Sequence, residues 1–272
     1  RLRTCHELNQ AWLSNAQVAY LTGDYGRAWE WIDRCLAADP RYPAPLQTAY
    51  GLAMETGDWS GAQPYEDRLL DILRSPEQGW AYRMAAARAF AWASYLAGRE
   101  IHLDLTEEVA LRVASDTAVH WMYCEGAAIT LARLAIIRGD VAQAQQQYCA
   151  LQGSPQEPNV QLDLLGTLAA VMGRYTEAEA HFERALAFDR KAGFGPDLAR
   201  TCWEYGEMLL RRDACGDRAR AAAVLDEGWA IARDLGLVTL LGRLEEQRRR
   251  LAERGSTASE RVRPAAPARS PR

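Results

Sequence analysis

Apolar positions along this chain recur with the period of an α-helix and are interrupted by glycines. Within Gly173–Leu186 they lie three or four residues apart, at Tyr175, Ala178, Phe182 and Ala185. This spacing places them on one face of a helix that begins just after the glycine. The stretch follows a short pattern: a glycine, an apolar residue two positions later and an alanine five positions later. The same pattern also begins at Gly23, Gly57 and Gly139. Gly57 follows Gly23 by 34 residues, as Gly173 follows Gly139, and this period predicts an array of helix pairs.

The repeated stretch resembles the tetratricopeptide (TPR) repeat. The first unit matches that pattern at Trp12, Ala16, Gly23, Tyr25, Ala28, Ile32, Leu36 and Pro40, and the fifth at Leu162, Gly166, Ala169, Gly173, Tyr175, Ala178, Phe182 and Ala185. The resemblance implies an all-α fold, a right-handed superhelix of about six helix-turn-helix units with a C-terminal capping helix. Small residues are expected to let paired helices approach closely, namely Ala16, Ala28, Ala62, Ala144, Gly166, Ala178, Gly206 and Ala221.

Breaks in the apolar pattern divide residues 1–254 into units near 8–40, 44–73, 80–115, 118–152, 159–192 and 196–236, followed by a cap at 238–254. Clusters of proline, serine and glycine predict linkers at 74–79 and 153–158. The third unit is the least regular, and its second helix is expected to begin near Thr106. Residues 255–272 contain mostly serine, threonine, proline, alanine and arginine, which predicts a disordered basic tail.

The charge distribution limits the classes of partner. The net charge is −4, but residues 243–272 carry nine arginines and four glutamates, so the body of the chain is acidic. An acidic body argues against nucleic-acid binding, which needs clustered positive charge. No apolar run approaches the ~20 residues of a membrane span. The six cysteines form no C-x-x-C pair, which favours a reducing cytoplasm. Because the chain begins at Arg1 without a methionine, we expect a fragment of a longer polypeptide.

The sequence contains none of the common nucleotide-binding or hydrolase motifs. His120 and Cys124 are four residues apart and could supply two metal ligands, but a zinc site needs three or four. Glu107 and the next residue, Glu108, point to different helix faces and make a poor acid–base pair. We therefore expect no catalytic site, no cofactor and no metal, and an enzyme acting through these residues is the weakest alternative.

In the TPR family, defined positions of each first helix line the concave face. Carried onto this chain, they are Tyr20, Gln47, Arg88, Trp92, Tyr95, Arg133, Asp163, Arg200, Trp203, Glu207 and Arg211, with Gln10, Gln17 and Glu55 beside them. Arginine and tryptophan dominate binding energy at interfaces, so this face is the candidate binding site. It does not match the family's carboxylate clamp, which needs lysines, because Lys191 is the only lysine.

A narrower resemblance covers the last third of the chain, in the stretches Ala180–Gly193, Leu198–Arg212, Gly216–Glu227 and Ala230–Gly236. These resemble the C-terminal TPR region of large bacterial signalling ATPases, the LuxR-type regulators and class III cyclase-linked ATPases. The resemblance implies a cytoplasmic, non-catalytic sensor arm in signal transduction or transcription regulation. Its expected partner is a protein or peptide, the parent's own ATPase domain or a small effector, with no nucleic acid and no membrane. The alternative is a structural scaffold that self-associates or packs on neighbouring domains.

Overall fold

A computed structural model describes residues 2–116, 119–152 and 162–261, with the backbone alone for 2–6 and 254–261. These residues form thirteen α-helices and no strand, which confirms the all-α prediction. The helices are α1 (Leu2–Leu21), α2 (Tyr25–Ala38), α3 (Pro43–Glu55), α4 (Trp59–Arg74), α5 (Trp80–Ala97), α6 (Leu103–Ser115), α7 (Trp121–Arg138), α8 (Val141–Gln152), α9 (Leu162–Val171), α10 (Tyr175–Ala192), α11 (Gly195–Arg212), α12 (Asp217–Leu235) and α13 (Val238–Arg261).

The four glycines that define the sequence period occupy equivalent turns. Gly23, Gly57, Gly139 and Gly173 have φ values of 79°, 79°, 67° and 73°, a left-handed conformation that glycine adopts without strain. In each turn the next residue donates its backbone N–H to the carbonyl five positions earlier, at 2.8–2.9 Å. In the first three turns that residue is an aspartate, Asp24, Asp58 or Asp140, whose carboxylate accepts an N–H bond from the first turn of the following helix. Such caps satisfy N–H groups that the helix leaves unpaired.

Small residues hold the paired helices close together, as the sequence indicated. A Cβ added at Gly166 would lie 3.0 Å from the ring of Phe182, and one at Gly206 would lie 2.5 Å from Leu225. The alanines at the matching positions are exposed by 2% or less: Ala16, Ala28, Ala62, Ala144, Ala178 and Ala221. Larger side chains at these joints would push the helices apart.

The odd-numbered helices form one continuous layer. Each contacts the next odd-numbered helix, from α1 through α3, α5, α7, α9 and α11 to α13. Contacts between α1 and α11, and between α13 and both α3 and α5, join the two ends of this layer. Within the described residues, none of the helices is long and apolar enough to cross a membrane.

Two boundaries differ from the sequence predictions. Helix α6 begins at Leu103, three residues before Thr106, after His102 in a left-handed turn with φ 52°. Helix α13 continues to Arg261, so 255–261 are helical where a disordered tail was expected. A preceding run of arginines and glutamates favours this, because an established helix propagates at one hydrogen bond per added residue. The remaining tail, 262–272, and the linker at 153–158 lie outside the described residues.

Helix α13, the expected cap, contacts the first half of the chain as well as the last helices. Leu240 and Leu244 of α13 are buried, and the helix covers α11 and α12 as predicted. The hydroxyl of Thr239 in addition donates to the carbonyl of Met54 in α3 at 2.6 Å, and Arg243 Nε donates to the carbonyl of Leu96 in α5 at 3.1 Å. Helix α13 therefore connects the last helices to the first half of the chain.

Candidate functional site

The inner faces of the odd-numbered helices surround a cavity of about 440 Å³, called here the inner cavity. Its apolar wall includes Ile129, Leu164, Phe188 and Phe194. Its charged wall contains three arginines and four acids: Arg88, Arg133, Arg200, Glu125, Asp163, Asp189 and Asp197. These side chains come from α5, α7, α9, α10 and α11, so the cavity exists only in the assembled array.

Arg200 is a cation of this cavity whose charge is offset by neighbouring acids. Its guanidinium pairs closely with Asp197 and lies 3.8 Å from an oxygen of Asp163 and 3.9 Å from Glu55. It also sits over the ring of Trp92, with 4.7 Å from its Cζ to the ring centroid. Burial by itself lowers the pKa of Arg200, but the surrounding acids, Asp197 foremost, raise it well above its usual range. Arg200 is therefore charged and saturated with acidic partners.

Tyr20 connects the first helix to this cluster. Its hydroxyl donates to Glu55 Oε1 at 2.5 Å, and the same carboxylate faces Arg200. Burial and the neighbouring Glu55 raise the pKa of Tyr20 well above its ordinary value, so the phenol is a hydrogen-bond donor at neutral pH.

Arg88 on α5 and Arg133 on α7 differ from Arg200 in their contacts with other residues. Neither makes a hydrogen bond or an ion pair with any residue in the described part of the chain. The guanidinium Cζ of Arg133 lies 5.1 Å from the centroid of the Trp92 ring, over which Arg200 also lies. Burial, reinforced by the charge of Arg88, lowers the pKa of Arg133 to about 10. Burial also lowers the pKa of Arg88, against a smaller opposite effect of Glu125. Within the described ranges, these two cations thus face the cavity without an acid at ion-pair distance, although Asp163 partly offsets the charge of Arg133.

Two buried acids hold their protons unusually tightly: Asp189 in the wall of the inner cavity, and Glu204 on α11 outside that wall. Burial, with a smaller effect of Asp197, raises the pKa of Asp189 to about 7, while the hydroxyl of Thr201 donates to it at 3.0 Å. Burial and Asp163 raise the pKa of Glu204 to about 8. Tyr95 donates to Glu204 Oε1 at 2.9 Å, but Oε2 has no hydrogen-bond partner among the described residues.

A second cavity, of about 280 Å³, lies against α13. Its wall includes Tyr95, Trp203, Glu207, Arg211 and Arg243. Glu207 is paired here, since it lies 2.8 Å from Arg250 and 3.9 Å from Arg211 and accepts a 3.1 Å hydrogen bond from Gln247. Side chains of α13 therefore already use the polar groups of this part of the inner face.

The structure brings most of the predicted site residues together. Arg88, Arg133, Asp163 and Arg200 line the inner cavity, and Trp92 supports two of these arginines. Tyr95, Trp203, Glu207 and Arg211 line the second cavity. Trp203 is only 8% exposed and Glu55 only 3%, so both side chains are largely buried. Gln47 is half-buried on α3 and lines neither cavity, Gln10 donates to the hydroxyl of Tyr42, and Gln17 is exposed.

Sequence reasoning missed four acids: Glu125, Asp189, Asp197 and Glu204. None stands at a position taken over from the repeat pattern, and Asp189 lies on an even-numbered helix. An acid in a first helix next to a candidate arginine or tryptophan, such as Glu204 after Trp203, was the available signal.

The weaker catalytic candidates have ordinary partners. The imidazole Nδ1 of His120 accepts the N–H of Met122 at the start of α7, the thiol of Cys124 donates to the carbonyl of Val119, and Glu107 pairs with Arg138 at 2.7 Å. In the three described ranges, no group of three histidine, cysteine, aspartate or glutamate side chains could hold a metal ion.

Comparison with known proteins does not extend this picture. No protein-family model matches the chain, and no curated protein matches its sequence.

Proposed function

We propose that this chain is a sensor array that binds a small effector in the inner cavity. In this proposal the helices form six TPR-like units of a right-handed superhelix, in the C-terminal arm of a larger bacterial signalling or transcription-regulating ATPase. The 34-residue period, the four equivalent glycine turns and the continuous layer of odd-numbered helices support the architecture. The resemblance of the last third supports the parent protein.

The observation that carries the proposal is the charged interior of the array. Burying a charge costs free energy unless partners compensate it, and several kcal/mol per ion is typical. In the described part of the chain, the exposed Arg88 and the half-buried Arg133 make no ion pair, and burial raises the pKa of Asp189 in the same wall to about 7. Such perturbed groups around a cavity are typical of a binding site.

The cavity favours a small molecule over an extended peptide. Its volume of about 440 Å³ lies in the range of small-molecule sites. An extended peptide would need the whole inner face, but Arg243 and Arg250 of α13 occupy part of it through their bonds to Leu96 and Glu207.

Binding in this cavity would couple distant helices. A ligand touching walls from α5, α7, α9, α10 and α11 favours the arrangement in which these helices are closest. It would shift the population toward that arrangement only by its difference in affinity for the two states. Because α13 packs on both α11 and α5, such a change would reach the C-terminal end of the array.

A cavity-blocking variant tests this function. Gly126 lies in the cavity wall, and a Cβ there would meet Arg88 Cδ at 3.7 Å, an ordinary contact. Gly126→Leu should fill the space next to Arg88, while Gly242→Leu makes the same change at an open position of α13. In a thermal-shift screen of small metabolites, an effector should stabilise the wild type and Gly242→Leu but not Gly126→Leu. At a concentration of 100 times Kd the stabilisation is about 2.7 kcal/mol.

If no compound stabilises the wild type, or if every stabilising compound acts equally on all three proteins, the inner cavity is not an effector site. The alternative, a scaffold that self-associates, stays a prediction. Light scattering at rising protein concentration tests it, since it requires a mass that increases with concentration.

A further inference from the structure

The inner cavity has one side where an arginine is surrounded by acids and another side where two arginines are not. Asp163, Asp197 and Glu55 surround Arg200. Arg88 and Arg133 face the same space from α5 and α7 without a carboxylate at ion-pair distance in the described ranges.

We propose that Arg88 and Arg133 form the subsite for an oxyanion of the effector, a carboxylate or a phosphate carried by a small organic molecule; this inference rests on the proposed function of the cavity. Each guanidinium has five N–H donors in a planar fork that matches the paired oxygens of these groups. Arg88 is exposed to the cavity, so a ligand can reach its donors without displacing protein.

The rest of the cavity defines the body of the same ligand. Asp163, Asp189 and Asp197 lie on the cavity wall with Arg200. Carboxyl oxygens accept hydrogen bonds, so all three suit hydroxyl groups on the ligand, and the ionised ones repel a second anion. Leu164 and Phe188 supply an apolar surface. The ligand class is therefore a hydroxylated organic molecule with one oxyanion.

The direction of the pKa shifts of the two arginines agrees with this assignment. Desolvation lowers the pKa of Arg88, against an opposite effect of Glu125. Desolvation and the charge of Arg88 lower the pKa of Arg133 to about 10, against opposite effects of Asp163 and Glu204. The attraction of an anion between them to each guanidinium would offset the repulsion between the two arginines. The arginines are thus expected to oppose stability in the free protein and to favour binding.

Three probes with the same three-carbon body test the inference: glycerate, glycerol 3-phosphate and glycerol. Titration calorimetry should detect binding of at least one anion to the wild type, at least about tenfold tighter than glycerol, since hydrogen bonds to a charged group typically contribute that much. Comparing glycerate with glycerol 3-phosphate identifies the carboxylate or the phosphate as the preferred group. Arg88→Gln and Arg133→Gln should each weaken that binding about tenfold or more.

Arg34→Gln is the matched control, because Arg34 also lies over a tryptophan, Trp31, but on the exposed side of α2. It should leave binding unchanged. The free Arg133→Gln protein should melt above the wild type, a result that separates lost binding from lost folding. Equal affinity for glycerol and both anions, or anion binding that survives both cavity substitutions, would overturn the oxyanion subsite. A neutral compound that stabilises the wild type but not Gly126→Leu would keep the effector cavity and remove only the oxyanion.

Discussion

At the scale of single residues, the buried charged groups of this protein differ in whether neighbouring residues compensate their charge. Arg200 and its three acids form a compensated cluster, and the cost of burying them is offset by their attraction and by the Trp92 ring. Glu204 is not compensated in this way, since one of its oxygens lacks a hydrogen-bond partner in the part of the chain that is described. It is more stable inside the protein as the neutral acid.

Glu204→Gln should therefore stabilise the protein in a pH-dependent way. The folded protein holds the Glu204 proton up to a pKa of about 8, while the unfolded chain releases it near its ordinary value of 4.5. The wild type consequently loses stability as the pH rises from about 4.5 to about 8. Glutamine has no proton to lose, and its carbonyl can still accept the bond from Tyr95. We expect a gain of about 1–3 kcal/mol at pH 9 that is much smaller at pH 5.

Urea unfolding of both proteins at pH 5 and pH 9 measures this difference, because groups common to the two proteins cancel. An equal difference at the two pH values would mean that Glu204 titrates alike in the folded and unfolded chains. A loss of stability at pH 9 would mean that the ionised carboxylate is the favoured form.

The sequence could place some of these residues but not their relationships. The groove positions that the TPR resemblance implies include Arg88, Arg133, Asp163 and Arg200, and the structure lines one cavity with them. The resemblance could not separate an arginine surrounded by acids from one that is not, because the partners of Arg200 come from α3, α9 and its own helix. Those contacts depend on how far the array curves, which no local pattern encodes.

At the scale of helices, α13 is the element whose role the sequence only half predicts. Its leucine stripe predicts a cap, and Leu240 and Leu244 are buried as a cap requires. Its bonds to α3 and α5 end on backbone carbonyls, those of Met54 and Leu96. Any residue offers a carbonyl, so sequence reasoning has no way to identify these acceptors.

Arg243→Leu should loosen α13 from the first half of the chain. The arginine donates to Leu96, lies 5.9 Å from the ring of Trp203 and passes over Gly98, where a side chain would collide with it. We expect faster hydrogen–deuterium exchange in α13 and at the end of α5, with a loss of about 1–3 kcal/mol. The control is Arg249→Leu on the same helix, which removes an exposed arginine that pairs with Glu246 and Glu253 of α13 itself.

Exchange in α13 that is equally fast in both variants would show that the contact with Leu96 does not hold the helix. Unchanged exchange at the end of α5 with faster exchange in α13 would limit the contact's effect to the C-terminal helix.

At the scale of the whole molecule, the contacts between its ends decide how it unfolds. A linear array of repeats is stabilised by neighbours alone and can unfold in parts. Here α1 contacts α11, and α13 contacts α3 and α5. The two largest buried clusters also share helices, since α5 contributes Leu96 to one and Phe90 to the other. Loss of either cluster would therefore remove contacts from the other.

This arrangement predicts a single unfolding transition that substitutions in either half lower. Phe182 belongs to the C-terminal cluster and Leu46 to the N-terminal one, and both are fully buried. Phe182→Ala should cost about 3–5 kcal/mol and Leu46→Ala about 2–5 kcal/mol. Because the ends are joined, each variant should move the whole transition to lower temperature, with the same midpoint by far-ultraviolet circular dichroism and by tryptophan fluorescence. Two separate transitions, with Leu46→Ala lowering only the first and Phe182→Ala only the second, would mean that the halves unfold independently. The inner cavity, whose walls span α5 to α11, would then not transmit binding along the array.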